Sequence, residues 1–310
     1  MSITILLMLR YTDDDKTGVV MNPKQPKKRR RKGKWSDWIP LLPFLLFCLA
    51  IMVLPLFFML KGSFTGSEGQ FTLEHYAKMG ASIYAISFRN SILLSGLTAI
   101  LGVLMGTIVG YYICQIRSQR VQELVTALCD VTSNFSGAPL AFAFIVILGS
   151  NGVLTLALQK YFNWKIYPTF SIYSFSGLIL AYTYFQLPLM VLLIIPAIAG
   201  LKDEWREAAS GLGASPRQYW RYVGLPVLAP AITGGLLLLF ANAFGAYATA
   251  YTLTEFRYSL VTLQLGFLLT GEVFRDPGAG DAMGILTLLL MGISIFLYQI
   301  AVQRGRKWQQ

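Results

Sequence analysis

The chain has 310 residues, of which 55% are hydrophobic and 13% charged. That is about half the charge of an ordinary soluble domain, near 25%, and it argues against a soluble enzyme or binding module. The 26 Lys and Arg against 15 Asp and Glu give a net charge of +11, which in a soluble protein would suggest nucleic acid, but here the basic residues are distributed as they are in membrane topology.

In chain order, the short apolar run Ile3 to Leu9 has no basic residue before it and Asp13, Asp14 and Asp15 soon after. A secretory signal needs the opposite arrangement. Residues 1–37 read as a disordered basic cytoplasmic tail, because Lys24 to Lys34 is dense in cations and contains Pro26. The tail is either a topology anchor touching anionic head groups or a plain solvated segment. Met21 is a second candidate start of translation, which an intact mass beginning at Met1 would exclude.

Six apolar blocks follow: Ile39 to Leu60, Ser91 to Ile113, Leu124 to Gly149, Phe175 to Leu201, Val227 to Leu253 and Met283 to Val302. Each can cross a hydrocarbon core of about 30 Å as a helix of roughly 20 residues. The fold class is therefore an all-α polytopic membrane protein with six transmembrane helices, a transmembrane domain over 38–303 and a C-terminal cytoplasmic tail over 304–310. With the N-terminus inside, 19 of the Lys and Arg residues fall on the inner side and 7 on the outer. Both termini are then expected in the cytoplasm.

Cys48, Cys114 and Cys129 have no metal-ligand spacing and read as small apolar residues. His75 is the only histidine; alone it builds neither a triad nor a zinc site, and it is expected on the surface. The second span carries Gly102, Gly106 and Gly110 at four-residue spacing, which lets a neighbouring backbone come close. The third opens on Asp130, Asn134 and Ser136 and is expected to break at Gly137 and Pro139. The fourth has Tyr182, Tyr184 and Gln186 before Pro188, and the fifth has Asn242 and Tyr247. Polar groups at membrane depth are costly unless they face protein or water, so these eight are candidates for a substrate pathway. Ordinary hydrogen bonding between helices is the alternative for each.

Between the fourth and fifth spans, residues 202–226 read as two short helices. Asp203 is the expected cap of the first, Gly211 and Gly213 end it, Ser215 and Pro216 open the second, and Leu225 and Pro226 lead into the fifth span. Glu207, Ala208, Ala209, three residues, Gly213, nine residues, then Val223, Gly224, Leu225 and Pro226 resemble the EAA motif of permeases from binding-protein-dependent ATP-binding cassette (ABC) importers. Val223 stands where Ile is usual. The resemblance extends from about Ser91 to Val302 and has the character of a type I, MetI-like permease core, with the first span as an extra N-terminal helix. A solvated charged loop would not need this punctuation.

The resemblance implies a coupling element that docks on a separate ABC ATPase subunit dimer. Ala208 and Ala209 would pack closely, and Arg206, Glu207 and Arg217 would offer charge-assisted bonds, with Gly213, Val223, Leu225 and Pro226 fixing its shape. The chain has no phosphate-binding Gly-x-x-x-x-Gly-Lys-Ser/Thr loop, so it needs no cofactor of its own and ATP with Mg is expected on the partner subunit. Further implied partners are a second permease subunit, related or identical, an extracytoplasmic solute-binding protein and the lipid bilayer, with no nucleic acid. Glu272, Asp276 and Asp281 form an outer acidic loop as a candidate docking site for that protein. The implied location is the bacterial inner membrane.

Leu180 to Pro188 and Leu225 to Tyr251 look most like permeases of the spermidine/putrescine type, whose relatives move phosphonate, ferric iron, thiamine or sulfate. A polyamine is the expected solute. An ion-gradient-driven secondary transporter is the competing class, and would favour inverted repeats and intramembrane ionisable residues.

Overall fold

The computed structural model describes residues 42–66, 69–165, 167, 169–254, 257–270 and 276–307, with side chains to Gln303. The basic tail, Met21, Glu272 and the side chains of the C-terminal tail lie outside the described residues. The chain divides into two units between Leu54 and Pro55. Of the first, the described part is residues 42–54, which open helix α1 (Leu42–Ser63).

The remaining elements belong to the second unit. They are α2 (Glu74–Lys78), α3 (Ser82–Cys114), α4 (Gln119–Asn134), α5 (Gly137–Leu148), α6 (Val153–Phe162), α7 (Phe175–Ala199), α8 (Asp203–Gly211) and α9 (Pro216–Tyr219), then α10 (Leu225–Phe244), α11 (Tyr247–Thr254), α12 (Val261–Thr270) and α13 (Pro277–Lys307). An isolated bridge between Thr65 and Phe71 is the only β pairing among the described residues. Six segments are long and apolar enough to cross a membrane: Leu42–Ser63, Ser82–Cys114, Gly137–Phe162, Phe175–Ala199, Pro216–Phe244 and Pro277–Gln303. The protein is thus all-helical with six candidate spans, as the sequence indicates.

Boundaries differ where polarity and backbone chemistry compete. The second span begins at Ser82 rather than Ser91, because Ile83, Tyr84 and Ile86 continue the helix ahead of the polar Arg89 and Asn90. The third is broken within Leu124 to Gly149, as expected, but at Phe135 and Ser136, just ahead of Gly137 and Pro139. An amphipathic α4 stops at Asn134, and the apolar segment restarts at Gly137, whose φ of 74° a residue with a side chain rarely adopts. The fifth stops at Phe244, with Gly245 and Ala246 separating it from α11. Helix α12, ten residues long, is too short to register as a span in sequence.

Packing is inverted relative to a soluble protein. On α3 the buried positions are Ser87, Ser91, Ser95, Thr98, Ala99, Gly102, Gly106 and Gly110 beside Leu94, Val103 and Ile113. The exposed ones include Ile92, Leu93, Leu97, Ile100, Leu104, Met105 and Ile108. Small residues face protein and large aliphatics face outward because lipid solvates them as well as a core would. The glycine stripe packs on α7: a Cβ on Gly106 would stand 2.6 Å from Met190 Cβ and 2.9 Å from the Leu187 oxygen, and one on Gly110 would stand 2.5 Å from Ile194 Cγ2.

Three buried clusters result, one around Leu94, Ala181, Tyr182 and Phe185, one around Val103, Met190 and Ile194, and one around Phe244, Val261 and Met283. His75 is 8% exposed, contrary to its expected surface position. The bare backbone of Gly278 on the first turn of α13 leaves room for the ring, and Nε2 lies 3.1 Å from the Thr65 carbonyl, to which it donates.

Candidate functional site

The interruption between α4 and α5 lies against the one between α10 and α11. Ser136 precedes α5 in an extended conformation and offers no side-chain cap. The first amide of α5 is instead satisfied across the gap, where Gly137 N donates to Thr249 Oγ1 at 3.0 Å. On the other side the Tyr182 hydroxyl donates to the Ala246 carbonyl at 2.6 Å, serving an oxygen that the break at Gly245 releases. Both interruptions therefore have partners, which membrane depth requires.

Beside these braces is a cavity of about 670 Å³, lined by Asp130, Ser133, Asn134, Ser136, Gly137, Asn242, Tyr247 and Thr249 together with apolar residues of α7 and α13. Among the described residues, Asp130 is the only charged side chain on its wall. The Asp130 backbone oxygen accepts from Ser133 Oγ at 2.8 Å and Asn134 Nδ2 at 2.9 Å, so these side chains are partly held by their own helix. Tyr247 stacks on Tyr251, with ring centroids 5.5 Å apart and planes 16° from parallel.

Of the eight pathway candidates, the fold brings Asp130, Asn134, Ser136, Asn242 and Tyr247 together on this wall. Tyr184 lines a neighbouring hollow of about 320 Å³ with Val131, Thr132, Asn134 and Phe135, and lies edge-on to Phe144. Tyr182 and Gln186 line neither. Tyr182 is 1% exposed, and Gln186 is fully buried, its Nε2 donating to Thr98 Oγ1 of α3 at 2.7 Å. Sequence reading missed Glu123, which lines a groove of about 500 Å³ with Gln122, Thr126, Ala127, Asp130 and Leu192. Its signal was the seven-residue interval to Asp130, two helical turns on one face, but a span assumed to begin at Leu124 hid it.

The segment between α7 and α10 is built by local rules. Lys202 stands at the N-cap of α8 without a side-chain bond, and Asp203, expected as the cap, is the first helical residue. Asp203 and Glu204 still face the positive end of the helix. Gly213, at φ 80°, closes α8 in a left-handed turn, with Ala214 N bonded to the Ala209 oxygen and Gly213 N to the Ser210 oxygen, both at 2.9 Å. Ser215 and Gln218 then form a reciprocal capping box around Pro216, which opens α9.

From α9 the chain enters a π-helical turn, Trp220–Gly224, which runs into Leu225 and Pro226 of α10. Arg206, Glu207, Ala208, Arg217, Leu225 and Pro226 are exposed, while Ala209 and Val223 are half-buried. At the bend Leu212 is 90% exposed, the highest value among the large apolar side chains described. The EAA-like spacing did not single it out. Beneath the segment is a cavity of about 630 Å³, between the ends of α3 and α7 and the residues of α8 and α9.

Comparison with known proteins places this geometry. Residues 101–307 match the family described as binding-protein-dependent transport system inner membrane component. The chain is 27% identical over 255 residues, 80% of its length and 87% of the relative, to the spermidine/putrescine transport system permease protein PotB of Haemophilus influenzae. It is 21% identical over 250 residues, 81% of its length and 88% of the relative, to the probable sulfate transport system permease protein cysT of Helicosporidium sp. subsp. Simulium jonesii. In three dimensions it resembles a chain of a bacterial ABC transporter involved in the import of the acidic polysaccharide alginate, at TM-score 0.66 and 18% identity, covering 88% of this chain and 96% of that one. With two thirds of its length inside that family, the chain belongs to the binding-protein-dependent inner membrane components, the MetI-like permeases of ABC transporters.

Proposed function

We propose that this chain is the permease subunit of an importer that carries a polyamine, delivered by an extracytoplasmic binding protein, across a bacterial inner membrane. The observation that carries the substrate reading is the cavity at the two helix breaks, where the carboxylate of Asp130 is the one charged side chain among the described residues. Glu123 extends the acidic face two turns along α4, about 10 Å at 1.5 Å per residue. That spacing suits a linear solute with separated ammonium groups, and Tyr247 and Tyr251 add aromatic faces for cations. The PotB relative supports the same reading. Sulfate is the second reading, favoured by the cysT relative, but the first amide of α5, a natural anion donor, is already taken by Thr249.

Power comes from a separate ATPase dimer, which grips α8 and the bend at Gly213. Leu212 supplies an apolar anchor, and Arg206, Glu207 and Arg217 form the polar rim. A second permease chain covers α4, whose outward side combines Glu123, Asp130 and Asn134 with Leu124, Leu128 and Val131. Carboxylates turned toward hydrocarbon would be costly, so that side faces protein or a shared aqueous route. Both termini and residues 202–226 are cytoplasmic in this arrangement.

The test uses the complete transporter in proteoliposomes with labelled putrescine. We expect saturable, ATP-dependent uptake that falls about tenfold in Asp130→Asn, roughly 1.4 kcal/mol for one charge-assisted contact. Uptake of sulfate but not putrescine, or a cognate binding protein without affinity for polyamines, would remove the substrate reading. Full transport after Gly213→Asp would count against the coupling role.

A further inference from the structure

The turn Trp220–Gly224 is wider than its neighbours, because Leu225 N bonds to the oxygen of Trp220 five residues back, where an α-helix would use four. Pro226 explains the widening, since it has no N–H to give the Tyr222 carbonyl and the regular ladder cannot continue through it. The wide turn places the Trp220 indole at a junction. Its ring stands edge-on to Tyr111 of α3, with centroids 5.1 Å apart at 80°, and packs on the cluster formed by Met190, Ile194 and Leu228 from α7 and α10. Gly224 lies against the same ring, where a Cβ would come within 2.5 Å of Cε3 and 2.9 Å of Cζ3. One side chain thus sits between Tyr111 and a cluster drawn from α3, α7 and α10, at the point where the segment after α8 enters α10, and one missing side chain makes room for it.

We propose that Trp220, admitted by Gly224 and seated on Tyr111, is a positioning residue of the coupling step that makes α8 and the C-terminal end of α3 move as one body. A push on α8 reaches α7 and α10 along the covalent chain, and the edge-on contact between Trp220 and Tyr111 gives it a direct path to the end of α3 besides the packing of α3 on α7. None of these three residues carries the EAA-like resemblance through its side chain: Trp220 falls inside the nine unspecified positions, and Gly224 between the apolar residues that end it. The inference rests on the proposed docking of α8 on an ATPase.

It is tested in the complete transporter in lipid nanodiscs, with Cys48, Cys114 and Cys129 replaced and spin labels placed at Gln115→Cys and Ser210→Cys, two exposed positions flanking the same cavity. The distance between the labels is compared without nucleotide and with Mg-ATP. In the parent and in Trp220→Phe the peak distance is expected to stay within about 2 Å between the two states, whereas in Trp220→Ala and in Gly224→Ala it shifts by about 5 Å, the scale of one helical turn. An unchanged distance in the two Ala variants, or a shift in the parent as large as theirs, would overturn the joint and leave Trp220 as ordinary packing. Gly224→Ala keeps the test open if Trp220→Ala does not accumulate. Failure of the ATPase to co-purify with the parent would overturn the docking reading, and the joint with it, and is told apart because it shows before any distance is measured.

Discussion

Asp276 holds one end of α13 with both of its oxygens. Oδ1 accepts from Ala279 N at 3.0 Å, and Oδ2 takes the Lys78 ammonium at 3.1 Å. Burial works against the charged carboxylate, but the Ala279 amide and the Lys78 charge outweigh it and hold this carboxyl below its usual range. The bond to Asp276 raises Lys78 in turn, against a smaller opposing effect of burial. A carboxyl lowered by folding stabilises the protein above its unfolded pKa, near 3.8, and that stability fades as pH falls through the lower folded value. Lys78, raised by folding, contributes across the neutral range and loses its contribution only as pH climbs above about 10.5. We expect Asp276→Asn to cost about 1 kcal/mol at neutral pH, combining a cap and a partly exposed ion pair, and to flatten the acid limb of thermal unfolding in detergent. At this scale the sequence spoke clearly where backbone rules act, at Gly213, Ser215 and Pro216. It was silent where a residue's role depends on what folds over it. His75 looked like a surface residue because nothing near it in sequence announces Gly278, two hundred positions away.

Helix α3 shows what small residues do for an element. Gly106 lies against α7, whereas nothing stands within 4 Å of a Cβ placed on Gly96 of the same helix. Gly106→Leu should therefore force α3 and α7 apart at a cost of about 3 kcal/mol or more, while Gly96→Leu should change the unfolding midpoint little. Equal midpoints for the two variants would show that the stripe is not a packing surface. The bend after α8 follows a different rule, because Gly213 also has open space around it and is required only by its φ of 80°. Gly213→Ala should cost about 1 kcal/mol from backbone strain alone, without a clash. Leu212→Asp should leave the fold intact and abolish co-purification of the ATPase; retention of that partner would remove Leu212 as its anchor. The repeated four-residue spacing made the stripe legible. The breaks were half legible, since Gly137 and Pro139 flagged the first within two residues while Gly245 hid in an apolar run. The π-helical turn arises from one absent amide on Pro226, which propensity and periodicity do not register.

For the whole molecule, the six apolar segments were readable because hydrocarbon thickness imposes a minimum length on all of them. Residues outside that constraint, such as the amphipathic α4 and the short α12, were placed only by the fold. The charge distribution predicts that a cysteine at Ser210 reacts with a membrane-impermeant maleimide only after the inner face is exposed. Labelling of intact cells at that position would invert the topology and remove any nucleotide-driven partner from reach of α8. Thr249 carries a further consequence. Its hydroxyl fastens the start of α5 to α11, so the two discontinuous helices share a rivet beside the cavity at their breaks. Replacing that hydroxyl by a methyl group, Thr249→Val, keeps the shape and leaves an orphaned amide worth about 1–3 kcal/mol. If the rivet keeps the two breaks closed on each other, the variant should let solute seep down its gradient with no fuel present, and a tight barrier in the variant would show that the bond does not hold them.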